Sequence, residues 1–170
     1  MKLIKPLLFV SALASLIAAC EKRDYNRGGL PEYENHYYAA YLPNTNAATT
    51  VARSQAALLK FPVQFYSAFT RDYDAIAYYG VVTTGIANPA VLGQDFNVVD
   101  RNGNTIQPVN GKYSITFPKA MRATDTIYVK LLNSTVTGSR KMEIQLMDNK
   151  TSQYEVDTFS TAYTRPVTIN

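Results

Sequence analysis

The stretch ITFPKAMRATDTIYVKLL, residues 115–132, decides how the rest of the chain is read. In its second half Ile127, Val129 and Leu131 alternate with Tyr128 and Lys130. A period of two places the three aliphatic residues on one side of an extended chain and leaves the other side wet. Just upstream, KYSITFP repeats the pattern: Tyr113, Ile115 and Phe117 share one face, and Pro118 ends ladder donation. Two such strands joined by the polar link KAMRATD, with no nucleophile or metal cage between them, predict sheet whose apolar face needs a second layer.

The neighbouring segments extend this reading. KMEIQLMD alternates Met142, Ile144 and Leu146 against Glu143, Gln145 and Met147, and the tail RPVTIN adds a short strand through Val167 and Ile169. Before the central stretch, FPVQFYSAFT puts Val63 and Phe65 on one side, with Gln64 and Tyr66 on the other. DAIAYYGVVTTG sets Ile76, Tyr78 and Val81 or Val82 together, and TRDYD joins the two as a hairpin or a short loop. Phe96 to Val99 forms a weaker strand, and Asn102-Gly103 and Asn110-Gly111 mark turns. Strands of about five to eight residues separated by turn signals predict an all-β sandwich over residues 61–170.

Residues 20–60 read as an irregular extension. RGGLPEYENHYYAAYLPNTN is punctuated by Gly28, Gly29, Pro31 and Pro43, which favour turns over a long helix. Within it HYYAAYL has strand character. TTVARSQAALLKF is the one helical fragment by composition, marginal alone and open to being strand in context.

The first residues, MKLIKPLLFVSALASLIAAC, combine Lys2 and Lys5 with an apolar run from Leu7 to Ile17. The run is too short for a spanning helix, so residues 1–19 are expected to be a signal segment. L-I-A-A-C resembles the lipobox of bacterial lipoproteins, with Ile17 where Leu is usual. The resemblance implies that Cys20 carries the lipid and anchors the chain to a membrane of the cell envelope, the outer membrane being the expected one. The only cysteine of the chain would then serve neither a disulfide nor catalysis nor zinc.

The whole chain carries 17 Lys and Arg against 13 Asp and Glu, a net charge of +4. Without Lys2 and Lys5 the balance is 15 against 13, and no basic cluster remains to make nucleic acid a partner.

GQDFNV, GKYSITFPKAMRATDTIYVKLLN and SRKMEIQLMDN, in that order, resemble the Calx-beta-type domain, an immunoglobulin-like β-sandwich. Gly93, Asp95 and Phe96 match its Gly-x-Asp-aromatic step, and Phe117 its next strand end, with Ala120 where Gly is usual. Thr126, Ile127 and Val129 fit the following strand, and Glu143, Ile144 and Leu146 the one after. Lipoproteins of the Bacteroidota carry many such domains, often beside polysaccharide-uptake genes, so the resemblance implies an envelope role and glycan binding. Calcium is not expected. Relatives that bind it place paired carboxylates after the Ile-x-Val strand, where this chain has Leu131, Leu132 and Asn133. Asp95, Asp125, Glu143 and Asp148 are too widely spaced for a shell of about six to eight oxygens.

Nor does the sequence suggest catalysis or a cofactor. His36 is the single histidine, without a second His or a free Cys to build a metal centre, and no GxSxG element is present. Asp72 with Asp74 and Glu32 with Glu34 share strand parity but sit beside turns, where acids are common. Gly28-Gly29 lacks the context of a phosphate loop. The expectation is therefore noncovalent binding by aromatic surface: Tyr37, Tyr38, Tyr41, Tyr66, Tyr73, Tyr78 and Tyr79. Some must be core, since adjacent Tyr78 and Tyr79 cannot point the same way in a regular strand. The leading ligand is a glycan or other extracellular polymer. The alternative is a structural or adhesion subunit contacting another envelope protein through exposed strand edges.

Overall fold

The computed structural model describes residues 34–170, so the signal segment and Cys20 lie outside the described residues. Eleven strands follow one another along the described chain: β1 (His36–Tyr41), β2 (Thr49–Val51), β3 (Leu59–Tyr66), β4 (Ala75–Val82), β5 (Phe96–Val99), β6 (Tyr113–Phe117), β7 (Ala123–Leu131), β8 (Arg140–Met147), β9 (Asn149–Lys150), β10 (Glu155–Thr158) and β11 (Thr164–Ile169). They form two sheets, ordered β5-β7-β3-β1-β10-β9 and β2-β11-β8-β4-β6. Pairing is antiparallel except for β1 with β10 and β2 with β11.

Period-two alternation builds the core. β3 buries Leu59, Phe61, Val63 and Phe65, β7 buries Ile127, Val129 and Leu131, and β8 buries Met142, Ile144 and Leu146. Phe65 of one sheet stacks on Phe117 of the other, with ring centroids 4.5 Å apart and planes at 15°. Removing a ring of this size from water contributes roughly 1.5–3 kcal/mol. Tyr41, fully buried, keeps its phenol satisfied by donating to the Ile144 carbonyl at 3.1 Å across the sandwich.

Three expectations change. The sandwich begins at β1, not at Phe61: β1 lies between β3 and β10, and β2 is the outer strand beside β11. The helical reading of TTVARSQAALLKF fails as well. Its ends are drawn into β2 and β3, where Val51, Leu59 and Phe61 bury their side chains, and the middle turns through a bond from Gln55 N to Ala52 O. A helix of this length is marginal in water, and two sheet pairings outcompete it. Of the two readings of TRDYD, finally, the hairpin fails and the loop stands, since β3 and β4 belong to different layers.

The parity of β4 also differs from the expectation. Ala75, Ala77 and Tyr79 face the core, while Ile76 and Tyr78 stand half-exposed on the other side. The small residues sit opposite large ones, Ala75 beside Phe117 and Ala77 beside Ile115. That alternation of volumes fills the inter-sheet space without overpacking.

Candidate functional site

The seven tyrosines singled out from the sequence do not form one surface. Tyr37, Tyr41 and Tyr79 are core residues, at most 3% exposed, which corrects their assignment to a binding face. Burial drives the Tyr41 and Tyr79 phenols well above their ordinary ionisation range, offset in Tyr41 by the Arg165 cation and reinforced in Tyr79 by Tyr113 and Asp125. Tyr73 stacks on Tyr154 at 5.6 Å, and its hydroxyl bonds Tyr37 at 2.6 Å and donates to Asn35 Oδ1 at 2.8 Å. It serves to tie a loop to the core.

Tyr38 and Tyr66 do meet, on the outer face of the first sheet, where they are direct partners in the β1–β3 register. There they join two residues the sequence reading did not include in a binding surface. Tyr38 stacks on His36 (5.0 Å, 15°) and on Phe159 (5.1 Å, 1°), and Phe159 meets Tyr66 edge-on at 5.7 Å. The Arg122 guanidinium lies 5.5 Å above the Tyr66 ring. The legible signal was the alternation in EVDTF, residues 155–159, around the buried Val156. A sugar stacks on an open ring face; in this strip the rings occupy one another's faces, and Arg122 occupies that of Tyr66.

Beside the strip, β1 and β10 bring His36, Glu155 and Asp157 together, their ligating atoms all within 4.8 Å of one another. His36 Nε2 lies 2.6 Å from Asp157 Oδ2, and Lys150 Nζ donates to Glu155 Oε2 at 2.7 Å. The acids considered for calcium lie elsewhere and are committed to their neighbours. Glu143 accepts from Gln145, Asp148 from Thr158 and Asp125 from the Thr126 amide. Asp95, 1% exposed, accepts from Ser134 Oγ at 2.5 Å and from the Val91 amide at 2.9 Å. Of the acid pairs, Asp74 accepts from the Lys119 amide, and Glu32 lies outside the described residues.

Tyr78 stands on the second sheet, with Lys112 Nζ 5.3 Å over its ring. It belongs to the surroundings of β6, one of the two outer strands of that sheet, which among the described strands pairs with β4. Ser114 and Thr116 of β6 are exposed. Three hollows border the strand. One of about 370 Å³ is lined by Ser114, Ile115 and Thr116 together with Asp125 and Tyr128. A second of about 400 Å³ lies against Ser114, Tyr78, Lys112 and Val109, and a third of about 330 Å³ against Tyr113, Val91, Leu92 and Pro108. The apolar rim is exposed: Val91 at 46%, Leu92 at 47% and Val109 at 75%.

A further hollow, about 530 Å³, opens between Leu42, Leu58, Pro62 and Arg165. Arg165 is a clamp there, its guanidinium donating to the Thr45 and Pro43 carbonyls and lying 4.5 Å over the Tyr41 ring. Burial lowers its basicity, partly countered by Tyr41.

No family model and no curated protein matches the chain. Among solved structures it is similar to the apo form of the Calx CBD1 domain, at 15% identity and a TM-score of 0.50, over 79% of this chain and 97% of that one. It is likewise similar to CBD12 from CALX1.2, at 16% identity and a TM-score of 0.50, over 78% of this chain and 44% of the other, so it spans under half of that second chain. The fold is a Calx-beta-like sandwich. At such identity the likeness speaks of fold alone, and it agrees with the Gly93–Phe96 step. Gly93, at φ +81°, turns the chain so that its amide reaches the Phe96 carbonyl at 2.8 Å, while Asp95 staples the turn to Ser134.

Proposed function

We propose that the chain is a non-catalytic envelope module that binds an extended segment of another protein by strand addition along β6. The observation that carries this reading is the position of β6: an outer strand of five residues bordered by the three hollows, with an apolar rim. In strand addition main-chain bonds supply affinity, and pockets for alternating side chains supply specificity. The glycan reading, first on sequence grounds, loses support from the ring faces: those of Tyr38 are taken by His36 and Phe159, and Tyr66 and Tyr78 each carry a cation.

A display library of unstructured peptides tests the proposal. Selected peptides should slow amide exchange across Tyr113–Phe117, and Ser114→Lys with Thr116→Lys should weaken them roughly tenfold or more, since charged edge residues oppose pairing. Peptides that leave exchange in β6 unchanged, or saturable glycan-array binding indifferent to both substitutions, would overturn it.

The lipid anchor at Cys20 belongs to the same proposal, with the outer membrane as its place. Several acyl chains on one residue give stable retention where one chain is marginal. Cys20→Ser should abolish acyl labelling and release the chain from membranes; undiminished membrane retention would refute the anchor.

A further inference from the structure

The outer face of the first sheet holds a group that the proposed β6 contact does not use: His36 on β1 with Glu155 and Asp157 on β10. We infer that these three side chains form an open binding site for a borderline divalent cation of the zinc type, with water completing its coordination.

The backbone register creates the group. β1 and β10 run parallel with His36 directly opposite Glu155 and Tyr38 opposite Asp157, so all three ligating side chains project from one face of adjacent strands. Their donor atoms already fall within 4.8 Å of one another. Around a tetrahedral zinc with bonds of about 2.0–2.2 Å, ligand atoms stand about 3.4 Å apart. The His36–Asp157 contact of 2.6 Å therefore opens slightly and the wider separations close, changes within reach of side-chain rotation.

The imidazole is oriented in advance. Its plane is held against Tyr38, which in turn stacks on Phe159, while Nε2 points among the carboxylates. Fixing ring orientation is the service that outer partners give a ligating histidine. One nitrogen and two carboxylates suit a borderline ion; calcium would want about six to eight oxygens. Lys150 supplies the competing cation. Its ammonium is bound to Glu155 Oε2, but its side chain is 75% exposed and free to swing away. An ion here would tie the first strand to the β9–β10 hairpin.

The test uses the full chain carrying Cys20→Ser, which removes the only thiol. Zinc titration by calorimetry should show one saturable site at micromolar concentration. Cobalt substitution should give the visible d–d absorption of a four- or five-coordinate site, and zinc should raise the melting temperature. Losing an outer partner of a metal ligand costs about tenfold to a hundredfold in affinity. His36→Gln, Glu155→Gln and Asp157→Asn should each cost at least as much, and Lys150→Ala should tighten binding. Circular dichroism of each variant separates loss of the site from loss of the fold. Absence of a saturable site, or binding undiminished by both His36→Gln and Asp157→Asn, would overturn the inference.

Discussion

Asp95 shows what one residue can disclose and what it withholds. It is an ionisable side chain in the core, yet its two oxygens accept from Ser134 and from the Val91 amide, and its own carbonyl accepts from the Leu132 amide at 3.0 Å. Its role is to staple two loops. Replacing Asp95 by Ala takes the acceptor from both part-buried donors, and each hydrogen bond lost costs between about 0.5 and about 3 kcal/mol. Urea unfolding of Asp95→Ala should show a loss of roughly 2–4 kcal/mol, with Asp95→Asn recovering part of it; an unchanged midpoint would refute the staple. The Gly-x-Asp-aromatic pattern made this aspartate visible in the sequence, but its partner Ser134 lies 39 positions away and carries no local mark. Tyr37 and Tyr41 hid for a related reason. Their parity on β1 could be read, whereas which parity faces inward is decided by the partner strands.

Individual strands and turns were more legible than faces. The alternating runs of β6, β7 and β8 reveal their inward sides directly, because three large apolar residues share a parity in each, opposite mainly polar ones. β4 has apolar residues on both, so the larger Ile76 and Tyr78 misdirected the reading while Ala75 and Ala77 met Phe117 and Ile115 inside. The group of His36, Glu155 and Asp157 is not legible in the sequence, because β10 is a strand of four residues and spacing cannot show that His36 lies opposite a residue 119 positions later. The turn before β6 was plain. Asn110 and Gly111 have φ of +51° and +77°, and Val109 and Lys112 exchange both backbone bonds across them. Positive φ at both central residues is the hairpin geometry that Asn-Gly favours. A β-branched side chain at the second position strains it by roughly 1–2 kcal/mol. Gly111→Val should therefore lower the melting temperature by a few degrees and loosen the proposed β6 contact; equal stability in a thermal melt would count against the turn as what positions that strand.

At the scale of the whole molecule, the core of the sandwich holds several buried tyrosines, and this sets how stability responds to pH. Burial raises the phenols of Tyr41, Tyr73, Tyr79 and Tyr113 above the ordinary tyrosine value of 10.0. In the unfolded chain these phenols ionise near that value, while the folded protein retains their protons. Between the unfolded and folded pKa the unfolded state binds fewer protons, so stability falls as pH rises; below pH 10 this contribution is fully present. Acid works in the opposite sense. Hydrogen bonds led by Asn104 hold Asp100 below its ordinary value, and Lys150 holds Glu155 below its own. Their contribution is present above the unfolded carboxylate range and is lost as pH falls through the folded pKa. The chain should thus show a broad plateau of stability between the carboxylate and phenol ranges. Of its thirteen tyrosines, at least these four should stay silent in an alkaline absorbance titration until the fold opens. Unfolding above pH 10 should release them together, as one cooperative step in both ultraviolet absorbance and circular dichroism. Smooth ionisation of all thirteen near pH 10, with the sheet signal intact, would mean that the aromatic interior described for the sandwich does not exist in solution.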